Sequence, residues 1–117
     1  MDSHHSVKIA LLCSRVRVEE KMLLAALRAR GAAFERVDPR KLIVDLKGAG
    51  AATGGLDEYS AVLVRCMSHS RAFYLSRWFE DRGVPAISSH HTVATCGDKV
   101  LTSAALQAAG VPTPRTL

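Results

Sequence analysis

The run VKIALLC, Val7–Cys13, decides the fold. Its near-continuous apolar character fits a central parallel strand covered on both faces; a half-exposed strand would alternate apolar and polar side chains. Such a strand needs a crossover helix, and Glu19–Arg30 supplies one. Met22, Leu23, Leu24, Ala26 and Leu27 give it a broad apolar side, Glu19 and Glu20 stand at its start, Arg28 and Arg30 near its end, and Gly31 stops it. Ala33–Val37 (AFERV) then reads as a second strand, closed by Asp38-Pro39.

The same alternation continues toward the C-terminus. Lys41–Leu46 reads as a short strand or turn, and Lys47–Tyr59 (KGAGAATGGLDEY), rich in glycine and small residues, as a mobile surface loop. Ala61–Arg65 (AVLVR) is the next buried strand. A helix over residues 71–82 follows, with Leu75, Trp78, Phe79 and Arg82 at i, i+3, i+4 and i+7, so Trp78 and Phe79 dock on the sheet. Pro85–Ile87 forms a short strand, Ser88–Thr95 is left without a regular element, and a last helix spans Asp98–Ala109. Strand and helix thus alternate with short turns. The pattern predicts a Rossmann-like, three-layer α/β domain with a parallel sheet of about four strands.

The 117 residues suffice for one modest core, which small aliphatic side chains must fill because aromatics make up only 5%. Val7–Cys13 is too short to span a membrane, and no basic flank or cleavage site marks a signal peptide. We therefore expect a cytoplasmic protein without membrane attachment. Three widely spaced cysteines, Cys13, Cys66 and Cys96, argue for reduced thiols. A formal charge of +5 favours acidic partners or anionic ligands. Nucleic acid is not expected, since there is no Lys/Arg run, zinc-finger spacing or RNA-binding aromatic motif.

In open parallel sheets, ligands bind beyond the carboxyl ends of strands where successive helices leave in opposite directions. That rule selects CSRVR after the first strand, with Arg15 and Arg17, and RCMSHSR after the third, with Arg65, Ser68, Ser70 and Arg71. With a strand order of 2-1-3 the two loops are neighbours. Their guanidinium and hydroxyl groups would form a carboxylate- or phosphate-binding crevice, assisted by a helix N-terminus. The alternative is that the arginines are solvated and Ser68 or Ser70 caps the helix. The Gly-x-Gly within 48–55 follows no strand and precedes no helix, so it is no dinucleotide fingerprint, and the receiver-domain reading fails because Cys13-Ser14-Arg15 replaces acidic residues. Cys66-Met67-Ser68-His69 holds half of a zinc spacing without a second half. His4-His5 and His90-His91 read as exposed. We assign no catalytic residue and no metal ligand.

In the last helix Leu101, Ala104, Ala105 and Ala108 form one apolar stripe, which places Lys99 about 180° away and outside the domain's own core. Asp98 starts the helix, Gly110 stops it, and Pro112 and Pro114 stiffen an extended exit.

Three stretches carry a family resemblance: SRVRVEEKMLLAALRARG (residues 14–31), VRCMSHSRAFYLSRWFEDRGVPAISS (64–89) and CGDKVLTSAALQAAGVPTPRT (96–116). Together they resemble the N-terminal domain of LysX/RimK-like ATP-grasp ligases of the amino-carrier-protein routes to lysine and arginine. The sequence departs from the family at Ser14, where Asp is usual, at Val18, where Pro is common, and in the 47–55 loop.

The resemblance implies a pre-ATP-grasp domain over residues 1–96 and a closing helix and connector over 97–117 that lead into an ATP-grasp module. It implies a longer enzyme that uses ATP and Mg2+ to activate a carboxylate as an acyl phosphate and joins it to an amine, with neither cofactor held by this domain alone. The activated group would be the C-terminal glutamate of a small acidic amino-group carrier protein. The amine would be that of 2-aminoadipate, or of glutamate in the arginine branch. Lys99 would reach nucleotide phosphates, Arg15, Arg17, Arg65, Ser68, Ser70 and Arg71 would serve the substrates, and the full-length enzyme would be a homo-oligomer. The alternatives are a RimK-like glutamate ligase domain and a non-catalytic Rossmann-like anion-binding or dimerisation module.

Overall fold

The computed structural model describes residues 6–47 and 55–115. His4-His5, most of the glycine-rich loop (48–54) and Thr116 lie outside the described residues. Four strands, β1 (Lys8–Leu12), β2 (Ala33–Val37), β3 (Ala61–Val64) and β4 (Ala86–Ile87), form one parallel sheet in the order β2-β1-β3-β4. The order reverses at β1, between β2 and β3. Helix α1 (Val18–Ala29) connects β1 to β2, and α2 (His69–Glu80) connects β3 to β4.

Side chains of successive strand residues point to opposite faces. Ala10, Leu12 and Val62 share one face, and onto it α2 places Leu75, Trp78 and Phe79, with Val84 and Ala86 completing a buried cluster. Trp78 and Phe79 meet edge to face at 5.0 Å. Leu11 and Cys13, also fully buried, belong to the opposite face, which α1 covers with the half-buried Leu23, Leu24 and Leu27. The fold class read from the sequence is the one observed: a parallel α/β sheet between helices.

The segment expected as a short strand or turn over Lys41–Leu46 is extended and unpaired with the sheet, after a 3-10 turn at Pro39–Lys41. It is tied down from α2 instead: the Asp45 carbonyl accepts from Trp78 Nε1 at 3.2 Å and Arg82 Nη2 at 2.7 Å. Arg82 stacks on the Trp78 ring at 4.0 Å.

Two elements differ from the sequence reading. Residues left without an element form helix α3 (His90–Cys96). Ser89 caps it by accepting from Thr92 N at 3.2 Å, Glu80 accepts from His90 N at 2.8 Å, and His90 Nδ1 lies 2.9 Å from the Phe73 carbonyl. Helix α4 (Lys99–Ala108) has the predicted start, with Asp98 accepting from Leu101 N at 2.9 Å. Its apolar stripe, however, does not dock on its own domain. Leu101 is 49% exposed, and Ala104, Ala105 and Ala108 are exposed as well. The helix rests on α3, where Thr102 Oγ1 donates to the Thr95 carbonyl at 2.8 Å; Thr102, Ser103 and Leu106 are its half-buried residues. A contact made through a hydroxyl leaves the apolar stripe exposed.

Candidate functional site

The sheet order makes the loops after β1 and β3 neighbours at the carboxyl ends of their strands. The ladder carries on past the strands: Arg65 N donates to the Leu12 carbonyl at 2.9 Å, and Cys13 N to the Val37 carbonyl at 3.1 Å. Arg65 therefore leaves β3 beside Cys13, on the face covered by α1.

There it meets Glu20, a residue the sequence reading placed only at a helix start. Glu20 is fully buried, and its carboxylate is saturated. Oε1 accepts from Arg17 Nη2 at 2.9 Å and from Arg65 Nε at 3.0 Å, with Arg65 Nη2 also at 3.0 Å. Oε2 accepts from Arg17 N at 3.0 Å and Arg17 Nε at 3.2 Å. Glu20 is the third residue of α1 and reaches back to its N-cap, half of a capping box; the other half is closed to Arg17, whose side chain has no acceptor. Burying a carboxylate is costly unless it is paired and hydrogen-bonded. Here the Arg17 guanidinium foremost, with its backbone N–H and Arg65, outweighs the burial and holds the acid down at about 2.

The remaining predicted residues occupy the same end of the sheet with different attachments. Arg15 is exposed at the tip of the β1–α1 loop and forms no hydrogen bond or ion pair among the described residues. Ser68 is the N-cap of α2, accepting from Arg71 N at 3.4 Å, and its hydroxyl lies 3.0 Å from that of Ser70. The capping alternative thus holds for Ser68. Arg71 is exposed, and its charge favours the thiolate of half-buried Cys66, but burial prevails and pushes that thiol up to about 11. Such a thiol is no nucleophile at neutral pH.

Two further arginines went unread in the sequence. Arg36 Nε donates to Cys13 Sγ at 3.3 Å and its Nη2 to the Ser14 carbonyl at 3.1 Å, with Arg40 Nη2 at 3.5 Å from the same carbonyl. They brace the loop from the β2 side. Their signal in the sequence is only that Arg36 belongs to the strand next to β1 and Arg40 to the turn after it.

Lys99 is the first residue of α4 and is exposed. Gly97, just before it, lies flat against the imidazole of His69 on α2; a Cβ there would fall inside the ring. The Cys-Gly-Asp-Lys string is thereby seated on the Arg-Cys-Met-Ser-His-Ser-Arg loop. No group of three or more His, Cys, Asp or Glu side chains among the described residues is placed to hold a metal ion, so no step through Mg2+ is derived for this domain. No helix among the described residues is long and apolar enough to cross a membrane. A separate cleft of about 580 Å³ runs between α2 and the segment of Val44 and Leu46, but its charged side chains Arg77 and Asp81 are paired at 2.8 Å.

Residues 9–95 match the model of the LysX preATP-grasp domain. Among characterised relatives, the glutamate–LysW ligase ArgX of Sulfolobus acidocaldarius is 31% identical over 111 residues, and that of Sulfurisphaera tokodaii 29% over 111 residues. Each match takes in 95% of this chain and 37% of the relative, so the chain spans just over a third of their length. A RimK domain ATP-grasp protein from Sphaerobacter thermophilus superposes with a TM-score of 0.75 at 28% identity, over 93% of this chain and 40% of that one. The ATP-grasp ligase PsnB, solved with a minimal precursor, shares the fold with a TM-score of 0.68 at 22% identity, over 95% of this chain and 45% of its own.

Proposed function

We propose, because this chain belongs to the LysX preATP-grasp domain family, that it is the substrate-side domain of an ATP-dependent carboxylate–amine ligase. Residues 1–96 are assigned to that domain, and 97–117 to the closing helix and connector toward an ATP-grasp module. The catalytic, ATP-binding and Mg2+-binding groups are assigned to the portion of such ligases that this chain does not span, with Lys99 as this domain's own contact to nucleotide phosphate. The proposed electrophile is the C-terminal glutamate of a small acidic carrier protein, activated as an acyl phosphate. The proposed amine is glutamate, which the names of both ArgX relatives carry, ahead of the one-methylene-longer 2-aminoadipate that the sequence resemblance put first.

The observation that carries this reading is the arginine cluster at the carboxyl ends of β1 and β3, on a chain of net charge +5. Guanidinium forks suit carboxylates, and a basic surface speeds encounter with an acidic protein. Arg15, Arg17, Arg65, Ser68, Ser70 and Arg71 are the proposed substrate contacts. Titrating the chain with a Glu-terminated acidic peptide tests the crevice. Arg65→Ala and Arg71→Ala are each expected to weaken binding by about 10-fold; equal affinities for variants and parent remove those arginines from the site. The reading frame is expected to continue past Leu117 into ATP-grasp motifs, and a stop codon directly after it would overturn the ligase assignment.

A further inference from the structure

We propose that Glu20 is a positioning residue that locks Arg17 and Arg65 into one receptor for a single carboxylate group. The inference rests on the substrate-side reading above and names what selects the ligand. Arg17 belongs to the loop after β1 and Arg65 to the end of β3, so without a bridge each would be an independent, mobile cation. Glu20 removes that freedom. Its two oxygens take Nε and one terminal nitrogen of each guanidinium, at 2.9 to 3.2 Å. Both arginines are thereby held edge-on from the buried side. Their side chains keep exposures of 40% and 37%, while Glu20 has none, so the groups that remain open to solvent are donors only.

Charge and shape together select the class of ligand. Two guanidinium groups and one carboxylate leave the trio itself at +1, and the guanidinium edges left open match the two coplanar oxygens of a carboxylate. Arg15 and Arg71 add positive charge nearby but are no part of this fork. The alternative source of a carboxylate is a side chain rather than a chain terminus, and peptide chemistry can separate the two. Glu20 touches no ligand in this scheme. It acts through the two arginines, whose pre-set geometry lowers the ordering cost of binding.

The test compares a Glu-terminated acidic peptide with the same peptide amidated at its C-terminus, binding each to the parent chain, Glu20→Gln and Arg17→Lys. The parent is expected to prefer the free acid by about 10-fold, the loss of one charge-assisted bidentate contact. Glu20→Gln is expected to abolish that preference, and Arg17→Lys, which keeps the charge but not the fork, to reduce it. The arginine Nε–H resonances of Arg17 and Arg65 report the clamp itself: slowly exchanging in the parent, fast in Glu20→Gln. An undiminished preference in folded Glu20→Gln overturns the inference and leaves the crevice reading standing. A parent that binds acid and amide equally overturns the terminal-carboxylate receptor, and one that binds neither peptide overturns the crevice reading as well. If Glu20→Gln does not fold, Arg17→Lys decides, since a full preference in that variant also overturns the fork.

Discussion

Glu20 carries a consequence for stability that is separate from binding. Its folded pKa of about 2 lies below the ordinary glutamate value near 4.3; Asp38, whose carboxylate is gripped chiefly by the Arg40 side chain, is also at about 2, below the ordinary aspartate value near 3.9. A carboxyl group depressed on folding stabilises the fold above its unfolded pKa, and that contribution drains away as pH falls toward the folded value. Stability is therefore expected to be flat down to pH about 4.5 and to decline steeply between about 4.5 and 2. Urea midpoints measured across that range should fall less steeply for Glu20→Gln than for the parent, with Asp38 and Glu35, which Lys8 and Tyr59 hold below its ordinary value, supplying remaining slope; parallel curves would contradict the assignment. The sequence displayed Glu20 only as an acid three residues after a helix entry. Its principal long-range partner, Arg65, stands 45 positions later, and no local pattern links the two. Arg17 and Arg65 were legible as residues of a crevice because the switch-point rule depends on strand order; the buried acid that organises them is a tertiary fact.

At the scale of elements, the seam between α2 and the C-terminal end of α3 turns on Gly97 and His69. Gly97 has an ordinary helical φ of −81°, so its small size serves the close approach to the imidazole and not an unusual backbone angle. Gly97→Ala is expected to push the exposed His69 ring aside and to cost about 1 kcal/mol, the low end for overpacking because the ring can swing into solvent. The double variant Gly97→Ala with His69→Ala should recover most of that loss, which thermal denaturation of all four proteins would measure as a coupling. Additive losses would show that the two residues do not bear on each other. Helix α3 escaped the sequence reading because His, Thr and Val are weak helix formers and its seven residues are too few to display a periodicity. Its anchors are Ser89, Glu80 and the Phe73 carbonyl, and two of those three lie on another helix. For α4 the limits were legible from Asp98 and Gly110, but not the side that docks, since a stripe of Leu and Ala says that a partner exists and not which one.

Across the whole molecule, the α2 face of the sheet bears most of the stability. Phe79 is fully buried against Trp78, Ala10, Leu12 and Val62, so Phe79→Ala is expected to cost about 4 kcal/mol through lost burial and a residual cavity. Trp78 is the sole tryptophan, and its fluorescence during guanidinium unfolding would follow the change; a loss under 1 kcal/mol would mean that the site collapses freely. The buried sheet was the most legible part of the sequence, because runs such as Val7–Cys13 and Ala61–Arg65 have few alternatives once alternation is absent. The far end of the chain obeys a different mechanics. Helix α4 packs chiefly on α3, starts beside the contact of Gly97 with His69, and extends about 15 Å at 1.5 Å per residue. Its near end thus sits on the first turn of α2, which carries Arg71 and follows the loop of Arg65. A tilt of about 20° at that contact displaces the distal end by about 5 Å while Lys99, beside it, hardly moves. A small rotation at that contact would thus become a displacement of several ångströms at the exit segment Val111–Arg115, about 15 Å away.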